Sequence, residues 1–346
     1  MIELELGDLA RLLDGRLVLA GDDTAATTVS GSVETDSRKV STGSIFFAMP
    51  GEVTDGHLFA PAALEAGAAL VIAERELDLP VSQVVVANGV AAIGALAREV
   101  VARVRAGGAL RVVAVTGSNG KTTTKNMLRA ILEPEGATVA PFGSFNNSVG
   151  APTEMLKVTH DTKFLIVEMG ASAIGEIAQL ISIVTPDVGI VLKVGLAHVG
   201  EFGGPDAVER AKSEMVTDLP ATATAVLNLD DPRVANMAAI TQAHVTWFGL
   251  DAGAAFRASD VTATATGTAF TLHIAGESDA TQAPGGATVP DAATEPDGCR
   301  VQLRILGEHH VMNALAAIAA THALGVPVER SVPALEGLVR AARWRM

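Results

Sequence analysis

"VTGSNGKTTTKN", residues 115–126, decides how the chain is read. The apolar run RVVAV (111–115) precedes it and KTTTKNML (121–128) continues it, so strand, glycine turn and helix follow in order. In that setting the N–H groups of the turn and of the first helical turn face an anion. Gly117, Ser118, Asn119 and Gly120 form the turn, and Lys121, Thr122 and Thr123 open the helix. Lys121 is then placed to reach terminal phosphates, and the Thr122 hydroxyl to ligate Mg2+. A GxxGK match alone arises often by chance; its place between strand and helix favours phosphate binding over glycines that serve geometry only. The usual spacing puts Gly or Ala five residues before the second glycine, where this chain has Val115. That departure argues for a loop variant rather than an ordinary switch-type or Walker-type ATPase.

Downstream, KFLIVEMGA (163–171), DVGIVLKVG (187–195) and ATAVLNLDD (223–231) read as buried strands, with helices such as AVERAKSEMVTDL (207–219) between them. Near-continuous apolar strands alternating with helices predict a mostly parallel sheet covered on both faces. Ligands of such sheets sit outside the carboxyl ends of the strands. Glu168 ends one strand, where a buried carboxylate is costly unless paired or metal-bound, and His198 follows another in a glycine-rich turn. Each alone is an ordinary polar group at a strand end; with the phosphate loop they form a candidate Mg2+ and phosphate cluster. Lys212 reads by itself as a solvated helix lysine, whereas Lys193, ending an apolar strand, should reach a charge or a ligand. Asn146 and Asn147 lie in a polar loop that turn formation alone could explain.

Upstream, GSIFFAM (43–49) and AALVIAE (68–74) read as strands around a helix, and residues 89–108 as a long helix closing at Gly107-Gly108. The predicted fold class is therefore α/β: a small mixed N-terminal domain, residues 1–107, then a P-loop-type central domain, residues 108–346, with a mostly parallel sheet flanked by helices. Residues of about 275–298 are rich in Ala, Thr, Pro, Gly and Asp without an apolar period, and read as a mobile insertion between two strands. The segment 309–325 reads as an amphipathic helix stopped by Gly325 and Pro327.

The 346 residues are ample for two domains, and 49% are apolar. A net charge of −14 with 3% aromatics and no Tyr speaks against nucleic-acid binding. The single cysteine, Cys299, rules out an intramolecular disulfide and a multi-cysteine metal site. The N-terminus lacks a basic start and an apolar core, and no apolar run reaches bilayer length. A soluble, cytoplasmic protein without membrane insertion is expected, most simply a monomer.

Several stretches together resemble the Mur ligases of peptidoglycan synthesis, and among them the MurF type. They are TGSNGKTTT (116–124), the segment 36–68 beginning DSRKVSTGSIFF, FNNSVGAPTEML (145–156), EMGASAIGEIAQL (168–180), GLAHVGEFGGPDAVERAKSEM (195–215), LNLDDPRV (227–234) and GEHHVMNALAA (307–317). They stand in family order from about residue 30 to the end. The first of the N-terminal stretches is shared with the MurE type, which adds diaminopimelate or lysine; EMGAS…GEI and NNSVGAP favour MurF.

The resemblance implies a ligase that uses ATP to phosphorylate the terminal carboxylate of UDP-MurNAc-tripeptide, the acyl phosphate then being attacked by the amine of D-Ala-D-Ala. It implies catalytic Lys121, Glu168, His198 and Lys212. Two Mg2+ sites would draw on Thr122, Glu168, His198 and Lys212, the last as a carbamate. ATP contacts are implied at residues 117–123, His309, Asn313 and Arg345, and UDP-substrate contacts at Ser37, Arg38, Asn146, Asn147 and Ser172. Lys193 stands where many relatives have Asn. Family members also carry a third, Rossmann-like domain after a segment resembling RWRM (343–346), so residues 1–346 alone are expected to ligate poorly. Two readings compete with this one: a MurE-type ligase and a nucleotide-binding module without ligase activity.

Overall fold

The computed structural model describes residues 1–51, 54–141, 143–195, 204–275 and 298–338. They divide into two compact units, Met1–Leu110 with Ser148–Thr162, and Arg111–Asn147 with Lys163–Met346.

The first unit opens with β1 (Leu4–Glu5), α1 (Leu6–Leu12), β2 (Arg16–Val18), β3 (Thr28–Val29) and β4 (Val33–Glu34), β1 pairing with β3. The two strands legible in the sequence are β5 (Ile45–Ala48) and β6 (Leu70–Ala73), and α2 (Ala60–Glu65) lies between them. With β7 (Gln83–Val85) they form a sheet ordered β2-β7-β6-β5-β4, parallel except where β2 joins β7. Phe46, Ala60, Ala63 and Val71 share one core. The long helix α3 (Gly89–Ala106) starts where the Asn88 side chain accepts the Ala91 N–H at 2.8 Å, and stops at Gly107-Gly108. Its buried Ile93, Leu96, Ala97, Val100 and Val104 recur at helical spacing. Each larger one contributes about 1.5–3 kcal/mol on burial.

The second unit is built on β8 (Arg111–Thr116), α4 (Lys121–Leu132), β9 (Thr138–Val139), then, past a short excursion containing α5 (Gly150–Met155), β10 (Phe164–Glu168), α6 (Glu176–Ile183) and β11 (Val188–Val191). There follow α7 (Pro205–Thr217), β12 (Thr224–Asn228), α8 (Pro232–Ala235), β13 (His244–Gly249), β14 (Phe256–Thr264), β15 (Gly267–Ile274), β16 (Cys299–Leu303), α9 (His309–Ala323) and α10 (Val328–Glu336). Among the described residues these strands form one nine-stranded sheet ordered β16-β15-β14-β13-β12-β11-β8-β10-β9. Every pairing from β9 to β14 is parallel, and β14-β15-β16 close it antiparallel. The expected α/β class and mostly parallel sheet are thus observed. Val113, Val115, Ile166 and Ile190 of the sheet pack with Met127 and Leu128 of α4 and Leu315 and Ile318 of α9. The parallel register brings the ends of β8, β10 and β11 to one edge, pairing Glu168 with Val115 and Val191 with Thr116.

The compact units differ from the expected division after residue 107 on two points. The first compact unit runs to Leu110, and it takes back residues Ser148–Thr162 from the stretch expected to be central. The reason is packing: α5 carries buried Ala151, Pro152 and Met155 and lies against α3. The insertion expected at about 275–298 falls almost wholly outside the described residues; β15 and β16 do flank it.

Candidate nucleotide and cation site

Between β8 and α4 the chain has only Gly117–Gly120 in which to turn, and both glycines adopt positive φ, 152° and 88°. A Cβ on Gly120 would stand 2.3 Å from Asn313 Oδ1, and one on Gly117 2.9 Å from Leu192 Cβ. The loop is therefore packed on α9 and on the end of β11. Ser118 adds two ties to that end: its N–H donates to the Lys193 carbonyl at 2.9 Å, and its Oγ accepts the Gly195 N–H at 2.8 Å. Lys193 itself is exposed, and what holds the loop is its backbone. The Lys121 ammonium folds back to donate to the Gly117 carbonyl at 2.8 Å, while Asn119 is exposed and Thr123 buried. Because an α-helix leaves its first N–H groups without intrahelical acceptors, the start of α4 presents donors and a positive dipole end at this loop.

One strand over, Glu168 ends β10 and is 1% exposed. The Thr122 hydroxyl donates to its Oε2 at 3.0 Å and lies 3.0 Å from Ser144 Oγ; Asn146 Nδ2 donates to its Oε1 at 3.1 Å. Lys125 Nζ is 3.9 Å from Oε2. Asn147 ends this segment of the second unit. The Glu168 carboxylate and the Thr122 and Ser144 hydroxyls are hard oxygen donors, the kind that suits Mg2+. Among the described residues no three His, Cys, Asp or Glu side chains form a metal cage. A single carboxylate suffices for Mg2+ when phosphates and water complete its shell, so the residues fit that ion.

Lys212 on α7 is 5% exposed, and burial, with the charge of Lys121, lowers its ammonium from 10.5 to about 8. The structure thus overturns the reading of Lys212 as a solvated helix lysine. Two residues on, Glu214 accepts the N–H groups of Gly175 and Ala178 at 2.6 and 2.9 Å, tying α7 to the start of α6. Ser172, just before α6, bonds through N–H and hydroxyl to Glu176. On α9 the buried Asn313 accepts the Thr124 hydroxyl at 3.3 Å, and its amide lies 3.3 Å from His310 Nδ1. Burial and neighbouring His309 lower His310 to about 4, so its neutral ring accepts that amide and turns Asn313 Oδ1 toward the loop. His309 is exposed, its ring 4.0 Å from that of His310.

In the first unit, Ser37 and Arg38 lie in a 3-10 turn capped by Asp36. The Arg38 guanidinium pairs with both Asp36 oxygens at 2.8 Å and lowers that carboxyl to about 2. His198 and Arg345 lie outside the described residues.

The second unit therefore brings together Gly117–Thr122, Glu168, Asn146 and Asn313. Sequence reading missed Lys125, Ser144 and His310. For Lys125 a signal existed: it stands three and seven residues before Leu128 and Leu132, on the buried stripe of α4.

Comparison with known proteins shows which family the chain resembles. The family description "Mur ligase middle domain" matches residues 115–321, and "Mur ligase family, catalytic domain" matches residues 31–114. The UDP-N-acetylmuramoyl-tripeptide–D-alanyl-D-alanine ligase of Mycobacterium tuberculosis (strain ATCC 25618 / H37Rv) is 38% identical over 100% of this chain and 68% of its own length. The protein of that name from Escherichia coli (strain K12) is 33% identical over 95% and 67%. Among solved structures, MurF from Acinetobacter baumannii superposes with a TM-score of 0.82 at 32% identity, covering 97% of this chain and 68% of that one. MurF ligase from Thermotoga maritima, solved in complex with ADP, gives 0.73 at 28% identity over 89% and 66%. The chain belongs to the Mur ligase family, MurF type.

Proposed function

We propose that this chain binds and activates substrates for an ATP-dependent ligase that joins D-alanyl-D-alanine to UDP-N-acetylmuramoyl-tripeptide in cytoplasmic peptidoglycan precursor synthesis. One observation carries the reading: a glycine-turned helix N-terminus, loaded with Lys121 and Thr122, is hydrogen-bonded directly to the buried carboxylate of Glu168. A peptide carboxylate is a poor electrophile, so amide formation needs a leaving group. Attack of the carboxylate oxygen on the terminal phosphorus of ATP breaks the bond to ADP. The amine nitrogen then attacks the acyl carbon, inorganic phosphate leaves, and the amine sheds its proton.

The residues divide that work. The loop N–H groups and the start of α4 hold the phosphates, and Lys121 moves from the Gly117 carbonyl onto the terminal phosphate, whose charge grows as it transfers. Thr122 and Glu168 would hold one Mg2+ ion, and His198 with Lys212, as a carbamate, would serve a second. When bound, these ions neutralise charge on the transferring phosphoryl group. An amine that titrates at about 8 is partly neutral near pH 7, as reaction with CO2 requires. Asn313 and His309 are assigned to the adenine, as Arg345 is from its sequence alone; Ser37 and Arg38 of the first unit, and separately Asn146, Asn147 and Ser172 of the second, are assigned to the UDP-substrate. The protein acts as a monomer. The chain spans 68% of the length of its Mycobacterium tuberculosis relative.

The test is product identity in the gene product that contains residues 1–346. With ATP, UDP-MurNAc-tripeptide and D-Ala-D-Ala, mass spectrometry should find the pentapeptide. Product from UDP-MurNAc-dipeptide with diaminopimelate or lysine instead would transfer the chain to the MurE reaction. ATP hydrolysis that needs neither carboxylate nor amine would make it a nucleotide-driven module.

A further inference from the structure

Lys125 is fully buried beside the cation site, and nothing in the chemistry above uses it. Its ammonium donates to the Gly143 carbonyl at 2.7 Å and stands 3.9 Å from Glu168 Oε2. That separation is beyond a hydrogen bond, so the ammonium supplies charge to Glu168 without engaging an oxygen lone pair. The direct bonds to the carboxylate come from Thr122 and Asn146. A buried ion pair could serve stability alone, yet apolar packing of the same volume serves as well or better. Here the pair lies where a divalent cation would add two further positive charges next to the ammonium.

We infer that Lys125 is a positioning residue that holds down the affinity of Glu168 for a free divalent cation, so that the cation binds well only together with nucleotide phosphates. The inference rests on the reading of Glu168 and Thr122 as a cation site. The physical balance is direct. Without phosphates, the incoming ion meets one carboxylate whose charge Lys125 already offsets. With ATP bound, several negative oxygens enter the same region and outweigh the ammonium. The consequence is order: the ion arrives with the nucleotide rather than waiting in the protein.

Mn2+ serves as the probe, its protein-bound fraction read by electron paramagnetic resonance with and without ATP after subtracting the Mn2+–ATP formed without protein. Lys125→Met removes the charge at similar length, and Lys125→Arg keeps it. Without nucleotide, the Met variant should bind Mn2+ about tenfold more tightly than the wild type, the scale of removing one nearby charge in a partly screened site. The Arg variant should stay close to the wild type. With ATP present the difference should shrink. Unchanged or weaker nucleotide-free binding in a Met variant that unfolds cooperatively overturns the inference. Should that variant not fold, Lys125→Gln reads the same comparison, since it also removes the charge. Wild-type Mn2+ binding with ATP that E168Q leaves intact would instead defeat the cation-site reading itself.

Discussion

At 5% exposure Lys212 has little water around it, and its ammonium also feels Lys121. Its protonation has a thermodynamic signature. In the unfolded chain it titrates near 10.5, in the fold near 8. Below pH 8 both states carry the proton, and the fold bears the full cost of a buried charge. Between 8 and 10.5 the unfolded chain binds more protons, so this residue's contribution rises with pH, and the cost is gone above 10.5. In CO2-free buffer, Lys212→Met should therefore be more stable than wild type at pH 7, by about 3 kcal/mol at most. The gap should close as pH climbs toward 10.5, as read by denaturant unfolding. A gap independent of pH would remove the lowered titration. Adding bicarbonate at pH 8 should stabilise the wild type and not the Met variant. Nothing in ERAKSEM tells this lysine from a solvated one, because its burial depends on how α7 meets the sheet and on Glu214 tying α7 to α6.

Among elements, α9 and α4 show how the loop is supported. Asn313 closes on Gly120 and, across 189 residues of sequence, on Thr124. Asn313→Ala should leave the buried Thr124 hydroxyl without its acceptor, costing about 1–3 kcal/mol. It should also loosen the loop, so ATP affinity by calorimetry falls while amide exchange at Gly120 quickens. Weaker affinity with unchanged exchange would assign Asn313 to nucleotide contact alone. The strand-turn-helix around this loop was legible because β8, β10, β11 and β12 are buried on both faces and read as unbroken apolar runs. The strand β14 was not, since polar Arg257, Ser259 and Asp260 interrupt it and its outer half is mostly exposed. With two residues each, β1, β3 and β9 carry no periodicity. Lys125 escaped because one charged residue within an apolar stripe looks local, while its partners Gly143 and Glu168 come from other elements.

At the scale of the whole molecule, the chain leaves its second unit after Asn147 to lend α5 to the first, then returns at Lys163. Composition marks no break at either crossing, so the sequence read as one continuous central domain. Met155 is fully buried in that borrowed piece, and Met155→Ala should cost about 2–5 kcal/mol. Hydrogen exchange should locate the loss in α3 rather than in α4; equal loss in both would mean that the units do not open separately.

The central claim is that the loop serves carboxylate activation, and isotope transfer tests it most directly. UDP-MurNAc-tripeptide labelled with 18O in its terminal carboxylate is turned over with ATP and D-Ala-D-Ala by the gene product containing residues 1–346. The account predicts that the released inorganic phosphate carries one 18O from that carboxylate in each ligation event. Unlabelled phosphate alongside ligated product would contradict it.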